Sequence, residues 1–433
     1  MVAAQVNLWN HNVGVVIWQE DSKKAYFEFE KEFLNSSLDI SPLTMALDTA
    51  RQASPIFTFP LLPVETFKSL PGLLADSLPD KYGTSLINEW LIAQGRDIDS
   101  FSPVERLCYI GKRGMGAIEY EPEMDKNSNN TSKIELSDMV HLTNDVLQKR
   151  LSLNANVNKN SKEAILKIIH VGSSAGGARP KAVIAYNDKT GEILSGQSDA
   201  PDGFSQCLIK LDGVFNQAIE EPKGYGRIEF AYYKMALDCG INMTHSKLIE
   251  DNDRAHFITK RFDRLPGNEK VHMQTLCGIA HLDFNNPNKY SYEQAFQVMR
   301  VLRLPYPDAQ QLYTRMVFND MAKNYDDHTK NISFLMDKTG AWSLSPAYDV
   351  TFAYNPSNIW IQRHQLSING KREEITEKDY LAVAKEMNIK NSKEIIGNVR
   401  ETVSNWKKYA KESGVSEKQT LAINQLINKK NSN

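Results

Sequence analysis

The run Asn324-Tyr325-Asp326-Asp327-His328-Thr329-Lys330-Asn331, followed by Asp349 in Pro346-Ala347-Tyr348-Asp349-Val350, constrains this chain more than any other feature. It sets an Asp five residues before an Asn, with a further Asp eighteen residues beyond that Asn. A fold that uses this spacing must turn one loop and one hairpin end onto a common point. Asp326 can accept the proton of an attacking hydroxyl, while Asn331 and Asp349 offer hard oxygen ligands for Mg²⁺ against nucleotide phosphates. Phosphoryl transfer is mainly positioning plus charge neutralisation, so these oxygens are most of the chemistry required. The competing reading is a polar loop after a helix, with an Asp capping the next turn and His328 as a structural histidine. Against it, Ile332-Ser333-Phe334-Leu335-Met336 reads as a strand, and Asp337-Lys338-Thr339-Gly340 as its turn, which predicts a hairpin that brings Asn331 and Asp349 together. Lys330 either neutralises transferred charge or is an ordinary solvated lysine.

Upstream, the elements follow an order that suits a nucleotide site. A small-residue loop, Gly172-Ser173-Ser174-Ala175-Gly176-Gly177-Ala178-Arg179-Pro180-Lys181, lets backbone N–H groups approach phosphate oxygens, and Lys181 adds positive charge. It matches neither common phosphate-loop pattern, and in isolation a flexible surface turn is the better reading. A hairpin over Ala182–Ser195, turning at Asn187–Gly191, leads to the strand Cys207-Leu208-Ile209-Lys210-Leu211. Glu229 stands nineteen residues after Lys210, at the start of a helix predicted from about Ile228 to Cys239. A strand Lys paired with a helix Glu orients the Lys toward phosphates, although a solvent-facing Lys and a Glu favoured by the helix N-terminus fit as well. Another hairpin around Asp251–Asp253 continues through Phe257–Phe262, and helices at about 291–303 and 307–322 deliver the chain to the Asp326 loop. The N-terminal part reads as mixed α/β, with strands at Val13–Trp18 and Ala25–Phe29 and a helix near Thr84–Ala93. The remainder from about residue 376 reads as helical.

The 433 residues, 41% of them hydrophobic, are enough for two or three cored domains. Charges nearly balance, at 51 basic against 53 acidic, so no global excess of positive charge points to autonomous binding of nucleic acid or an anionic membrane. No apolar run approaches a membrane span, the start lacks the pattern of a signal peptide, and Cys108, Cys207, Cys239 and Cys277 show no C-x-x-C pair. A cytoplasmic protein with buried free thiols is expected. Phe29, Tyr232 and Tyr233 read as packing aromatics.

With these motifs in this order, the sequence resembles the HipA family of toxin serine/threonine kinases. The likeness runs through Leu74–Asp80, Gly111–Ala117, Ser174–Lys181, Ile209-Lys210-Leu211, Arg261-Phe262-Asp263-Arg264, the Asp326–Asn331 loop and Tyr348-Asp349. It implies an α+β, two-lobed kinase-like fold, nearer to phosphoinositide kinases than to typical protein kinases, with an added N-terminal α/β domain. The expected boundaries are 1–123 for the N-terminal domain, 124–163 for a linker and connecting helix, 164–262 for the small lobe, and 263–433 for the helical large lobe.

The resemblance also implies ATP between the lobes, held by Gly176, Gly177, Ala178, Arg179, Pro180, Lys181 and Lys210. Lys260, Arg261 and Phe262 would lie along the adenine. Asp326 would be the base, Asn331 and Asp349 the Mg²⁺ ligands, His328, Thr329, Lys330 and Tyr348 close neighbours, and Glu229 the partner of Lys210. Autophosphorylation is implied at Ser174, with Ser173 the adjacent alternative. The family's toxins phosphorylate glutamyl-tRNA synthetase and pair with a HipB antitoxin, through which operator DNA is met. Asp327 fills a position usually held by Gly, and Lys260 replaces a frequent Glu. Two other functions share this layout: a small-molecule kinase, and a co-repressor that needs its antitoxin but no catalysis.

Overall fold

The structure is a computed structural model that describes residues 2–79, 81–93, 95–124, 135–147, 180–196, 199–214 and 224–431. It is mixed α and β and divides into two compact units. The first comprises Met1–Ser41, Met45–Gly226 and Lys247–Met273; the second comprises Pro42–Thr44, Arg227–Ser246 and Gln274–Asn433. Contacts thus place the helix that follows the strand of Lys210 with the C-terminal unit, and the segment up to Met273 with the N-terminal one, whereas the expected lobes divided at residues 262 and 263.

The first unit begins with alternating sequence. In β1 (Val2–Leu8), Ala4, Val6 and Leu8 are buried while their neighbours are less so, and β2 (His11–Gln19) alternates likewise from Gly14 through Val16 to Trp18, with Val13 also buried. This period of two gives an antiparallel sheet with one core face. The sheet also holds β3 (Lys24–Phe29), the short β4 (Ile56–Phe57) and β5 (Ile118–Glu121), in the order β4-β3-β2-β1-β5. Trp9 and Asn10, both at positive φ, make the tight turn between β1 and β2. The helix Pro103–Ile110 packs on this sheet, started by a reciprocal capping pair between Ser102 and Glu105.

A second antiparallel sheet in the same unit has the order β7-β6-β8-β10-β9. Its strands are β6 (Lys181–Tyr186), β7 (Ile193–Ser195), β8 (Ser205–Lys210), β9 (Ser246–Asp251) and β10 (Arg254–Lys260). β6 is buried along its whole length, and Ala182, Ile184, Cys207, Ile209 and Ile258 form a core with Met139 and Val140 of the helix Leu136–Leu147. The expected hairpins over 182–195 and around 251–253 are both present.

A short strand, β11 (His272–Thr275), carries the chain into the second unit, which is mostly helical. Tyr292–Val301 starts at a capping box of Ser291 and Gln294, and Tyr306–Met321 follows Pro305. Glu377–Met387, Ser392–Ser404, Trp406–Glu412 and Glu417–Asn431 complete the C-terminal part. Tyr232, on the helix Tyr225–Asp238, packs edge-on against Trp406 and Phe318 and donates to the Ala322 carbonyl at 2.5 Å. That bond fixes the end of Tyr306–Met321, where the Asp326 loop begins. Phe29, Tyr232 and Tyr233 are core aromatics, and all four cysteines are free and buried. Burial pushes the Cys207 and Cys239 thiols up to about 12, far from reactive thiolates. Among the described residues, no helix is long and apolar enough to cross a membrane.

Candidate functional site

The helix Tyr306–Met321 ends where Lys323 enters the left-handed region, at φ 59°. The chain beyond it is laced to a neighbouring segment: Tyr325 N–H donates to the Ala353 carbonyl and Ala353 N–H to the Lys323 carbonyl, both at 3.0 Å. This fixes the backbone that presents Asp326. The loop closes on itself through the Asn331 amide, whose Nδ2 donates to the Asp326 carbonyl at 2.7 Å. With its amino group so engaged, Asn331 keeps Oδ1 as its free coordinating atom. The hairpin of β12 (Ser333–Met336) and β13 (Trp342–Leu344) then returns the chain to Asp349. Asp349 sits at φ 53°, a conformation uncommon for a residue with a side chain. Asp326, Asn331 and Asp349 line one cavity together with Arg315, Asn324 and Tyr348. The spacing rule thus assembles its three members at one point.

Adjacent acids have opposite environments. The Asp326 side chain is 48% exposed, with His328 Nε2 3.8 Å from its Oδ1. The Asp327 side chain is 2% exposed and fully engaged. Its Oδ2 faces His364 Nδ1 at 2.7 Å and accepts from the Tyr292 hydroxyl at 2.9 Å, while its Oδ1 accepts from the Gln365 N–H at 2.8 Å. His364 Nε2 lies 3.0 Å from Asp320 Oδ1, and Tyr380 donates to the other oxygen of Asp320. Burial works against charge on His364, but the carboxylates of Asp327 and Asp320 outweigh it and raise the imidazole to about 9. None of Asp320, Tyr292, Tyr380 and His364 follows from the sequence motif. Only the doubled acid Asp326-Asp327 marks the place.

Other expected neighbours are braces. Thr329 is buried, and its hydroxyl donates to the Leu282 carbonyl at 2.7 Å. The Tyr348 hydroxyl donates to the Lys330 carbonyl at 2.6 Å and lies within hydrogen-bond reach of the Ser333 hydroxyl. These hydroxyls hold the loop, so a nucleotide contact from either residue uses other atoms. Phe284 has no counterpart in the sequence reading. Its ring centroid lies 5.5 Å from that of His328 and 4.7 Å from Lys330 Nζ, so one aromatic surface orients both side chains.

In the first unit, the register of β6 and β8 places Lys181 directly opposite Lys210. Cross-strand partners share a face, and like charges there repel unless an anion or acid lies between them. Lys181 is almost wholly buried. Pro180 belongs to the same corner, its carbonyl accepting from Leu211 N–H at 3.0 Å. Lys260 is 3.4 Å from Asp188, which also pairs with Lys247 at 2.8 Å. Phe262 is partly buried.

The structure redirects the side chain of Arg261, which the family likeness set along adenine. Its guanidinium grips the buried Asp263 with two bonds, Nε to Oδ1 at 2.9 Å and Nη2 to Oδ2 at 2.7 Å. Only its backbone remains for a ligand. Glu229 is buried on the helix Tyr225–Asp238. Ser173, Ser174, Gly176, Gly177, Ala178 and Arg179 lie outside the described residues.

Among the described residues, no group of three or more His, Cys, Asp or Glu could cage a metal. Mg²⁺ in nucleotide sites needs only one or two protein ligands, the rest being phosphate and water oxygens. The Asp349 carboxylate and the freed Asn331 Oδ1 fit that mode.

The sequence profile of the HipA N-terminal domain matches residues 4–121, and that of the HipA-like C-terminal domain matches residues 173–406. No curated protein sequence matches the chain. Among solved structures, the HipA of the Shewanella oneidensis MR-1 toxin–antitoxin system, in complex with HipB and its operator DNA, superposes with a TM-score of 0.68 at 16% identity. The alignment covers 99% of this chain and 95% of that one. The Helicobacter pylori proinflammatory kinase CtkA aligns over 53% of this chain and 87% of its own, at 12% identity and a TM-score of 0.35.

Proposed function

The chain belongs to the HipA family, and from that premise we propose that it is an ATP- and Mg²⁺-dependent protein serine/threonine kinase acting in the cytoplasm as the toxin of a toxin–antitoxin pair. The observation that carries this reading is the half-exposed Asp326 carboxylate set in one cavity with Asn331 and Asp349. Asp326 is held by its own backbone through Asn331, so its carboxylate is fixed to take the proton from a substrate hydroxyl. Bound Mg²⁺ would neutralise charge on the transferred phosphate. Lys181 and Lys210, opposite each other on β6 and β8, supply the cationic face for an anion as dense as a triphosphate. Lys330, steadied over Phe284, adds charge beside the base.

Autophosphorylation at Ser174, a glutamyl-tRNA synthetase as target, and a HipB-like antitoxin that brings operator DNA are part of the same proposal. The Shewanella structure, solved with HipB and operator DNA, favours that partnership. The first test is the intact mass of purified, unphosphorylated protein after incubation with ATP and Mg²⁺. Wild type gains phosphate mapping to Ser174 or Ser173. Asp326→Asn gains it more slowly by roughly 10²–10⁴-fold, the usual cost of losing a general base. A labelled small product from a lysate, with no labelled protein, would favour a metabolite kinase. Equal rates in wild type and variant would sink the assignment of Asp326.

A further inference from the structure

We propose that His364 is a positioning residue for phosphoryl transfer: a doubly donating imidazolium that ties Asp327, beside the base Asp326, to Asp320 on the helix Tyr306–Met321. The inference rests on the kinase reading given above. Its basis is the donor count. His364 Nδ1 faces Asp327 Oδ2 at 2.7 Å and Nε2 faces Asp320 Oδ1 at 3.0 Å, with both side chains and the ring buried. A carboxylate only accepts, so with both acids as carboxylates each ring nitrogen carries a hydrogen. The remaining carboxylate contacts agree, since the Tyr292 and Tyr380 hydroxyls and the Gln365 N–H also donate to these acids. The Tyr325 ring lies 4.1 Å from the imidazole, and the Tyr325 hydroxyl is 3.4 Å from Asp320 Oδ1. From the segment that follows, Arg372 reaches the His364 carbonyl at 3.5 Å and lends positive charge near Asp327.

The arrangement acts on chemistry through one peptide bond. Asp327 cannot move without carrying the Asp326 backbone, and through it the Asn331 amide that grips the Asp326 carbonyl. His364 comes from a different segment, so it anchors the loop against the fold. A neutral imidazole has only one N–H and must release either Asp320 or Asp327. Burial with two acids keeps the charged form dominant through neutral pH.

The test pairs spectroscopy with kinetics on the full chain. In ¹⁵N-histidine-labelled protein, His364 should show exchangeable protons on both ring nitrogens at pH 7.5, one of which disappears as the pH is raised toward 10. The autophosphorylation rate with saturating ATP and Mg²⁺ should fall over that same range while ATP affinity holds. His364→Gln, which cannot donate in two opposed directions, should lower the rate on the order of tenfold to a hundredfold, the cost of a small misplacement, again without weakening ATP binding. A purely structural role would move stability without this split. A single ring N–H at pH 7.5, or a wild-type rate in His364→Gln, overturns the proposal. If that variant fails to fold, a flat wild-type rate from pH 7 to 10 overturns it, and a fall tracking the N–H signal supports it. Wild-type protein that transfers no phosphate at any pH rejects the kinase reading itself, a result distinct from an active wild type matched by an active variant.

Discussion

Two buried charge clusters in this molecule are mirror images in composition. In the first unit, one acid sits between two bases: Asp263 accepts from Arg261, from Arg264 at 2.9 Å and from the Gly116 N–H at 2.8 Å. In the second, one base sits between two acids, His364 between Asp320 and Asp327. The first cluster joins the N-terminal domain to the chain leaving β10, because both arginines also donate to the carbonyls of the Gly114–Gly116 loop. Gly116 stands there at φ 75°, and a Cβ at that position would lie 2.9 Å from the Met273 nitrogen. Arginine never loses its charge at ordinary pH, so this joint is permanent. Histidine is conditional, and this one is bonded to Asp327 in the Asp326 loop. The difference teaches that the molecule keeps a fixed charge where two segments must stay joined and a titratable one where the Asp326 loop is set.

The largest test of that contrast is Asp263→Ala. It leaves two buried guanidinium groups without a counter-charge, and the expected loss is about 3–5 kcal/mol of stability, read by urea unfolding. Loss of a fraction of this would make the joint ornamental and end the comparison.

The second test uses pH. The raised pKa of His364 means that its contribution is complete below about 6.5 and is lost as pH rises through about 9. The stability gap between wild type and His364→Gln should therefore shrink by on the order of 3 kcal/mol between pH 6 and 9. Asp263 is the opposite case. Burial would raise its pKa, but Arg261 and Arg264 hold it far below the carboxylate range. Its contribution is present above about pH 4 and falls only in strong acid, so the Asp263→Ala gap should stay constant from pH 6 to 9. A gap that moves in both variants would show that the clusters do not differ in the way their side chains imply.

The same contrast explains what the sequence made legible. Asp326, Asn331 and Asp349 lie within one loop and one hairpin, and local chemistry fixes their path. Asp337 Oδ1 accepts from the Thr339 and Ala341 N–H groups, so the turn is written in its own residues. Asn187 does the same for Lys189 and Thr190 in the β6–β7 turn. In the first sheet β2 and β3 were readable because an alternating pattern needs no knowledge of partners, whereas β1, β4 and β5 were not read, and β6 in the second sheet is buried throughout and shows no alternation. The His364 cluster was not readable, since its members come from separate segments and each looks like an ordinary polar or aromatic residue. The side chain of Arg261 was legible only in part: its ion-pair partner Asp263 is two residues on, while its carbonyl partner Gly114 lies 147 residues away. Lys181 and Lys210 were each visible, but only strand register makes them neighbours.

The smallest test separates the two tyrosines that serve Asp320. Tyr380 donates to Oδ2 in a short contact, and Tyr325 reaches Oδ1 at 3.4 Å while also accepting from Lys323 Nζ at 2.8 Å. Burial and the nearby acids raise both phenols, so each hydroxyl keeps its proton and acts as a donor. A well-aligned bond to a buried carboxylate is worth about 1.5–3 kcal/mol, and a long one much less. Tyr380→Phe should therefore cost about 1.5–3 kcal/mol in urea unfolding and Tyr325→Phe under about 1 kcal/mol. Loss of the Tyr380 hydroxyl also leaves Asp320 more dependent on His364, so that variant should hold the imidazolium to a higher pH than wild type. A lower titration midpoint in Tyr380→Phe would mean that the hydroxyl and the imidazole support each other rather than share one acid.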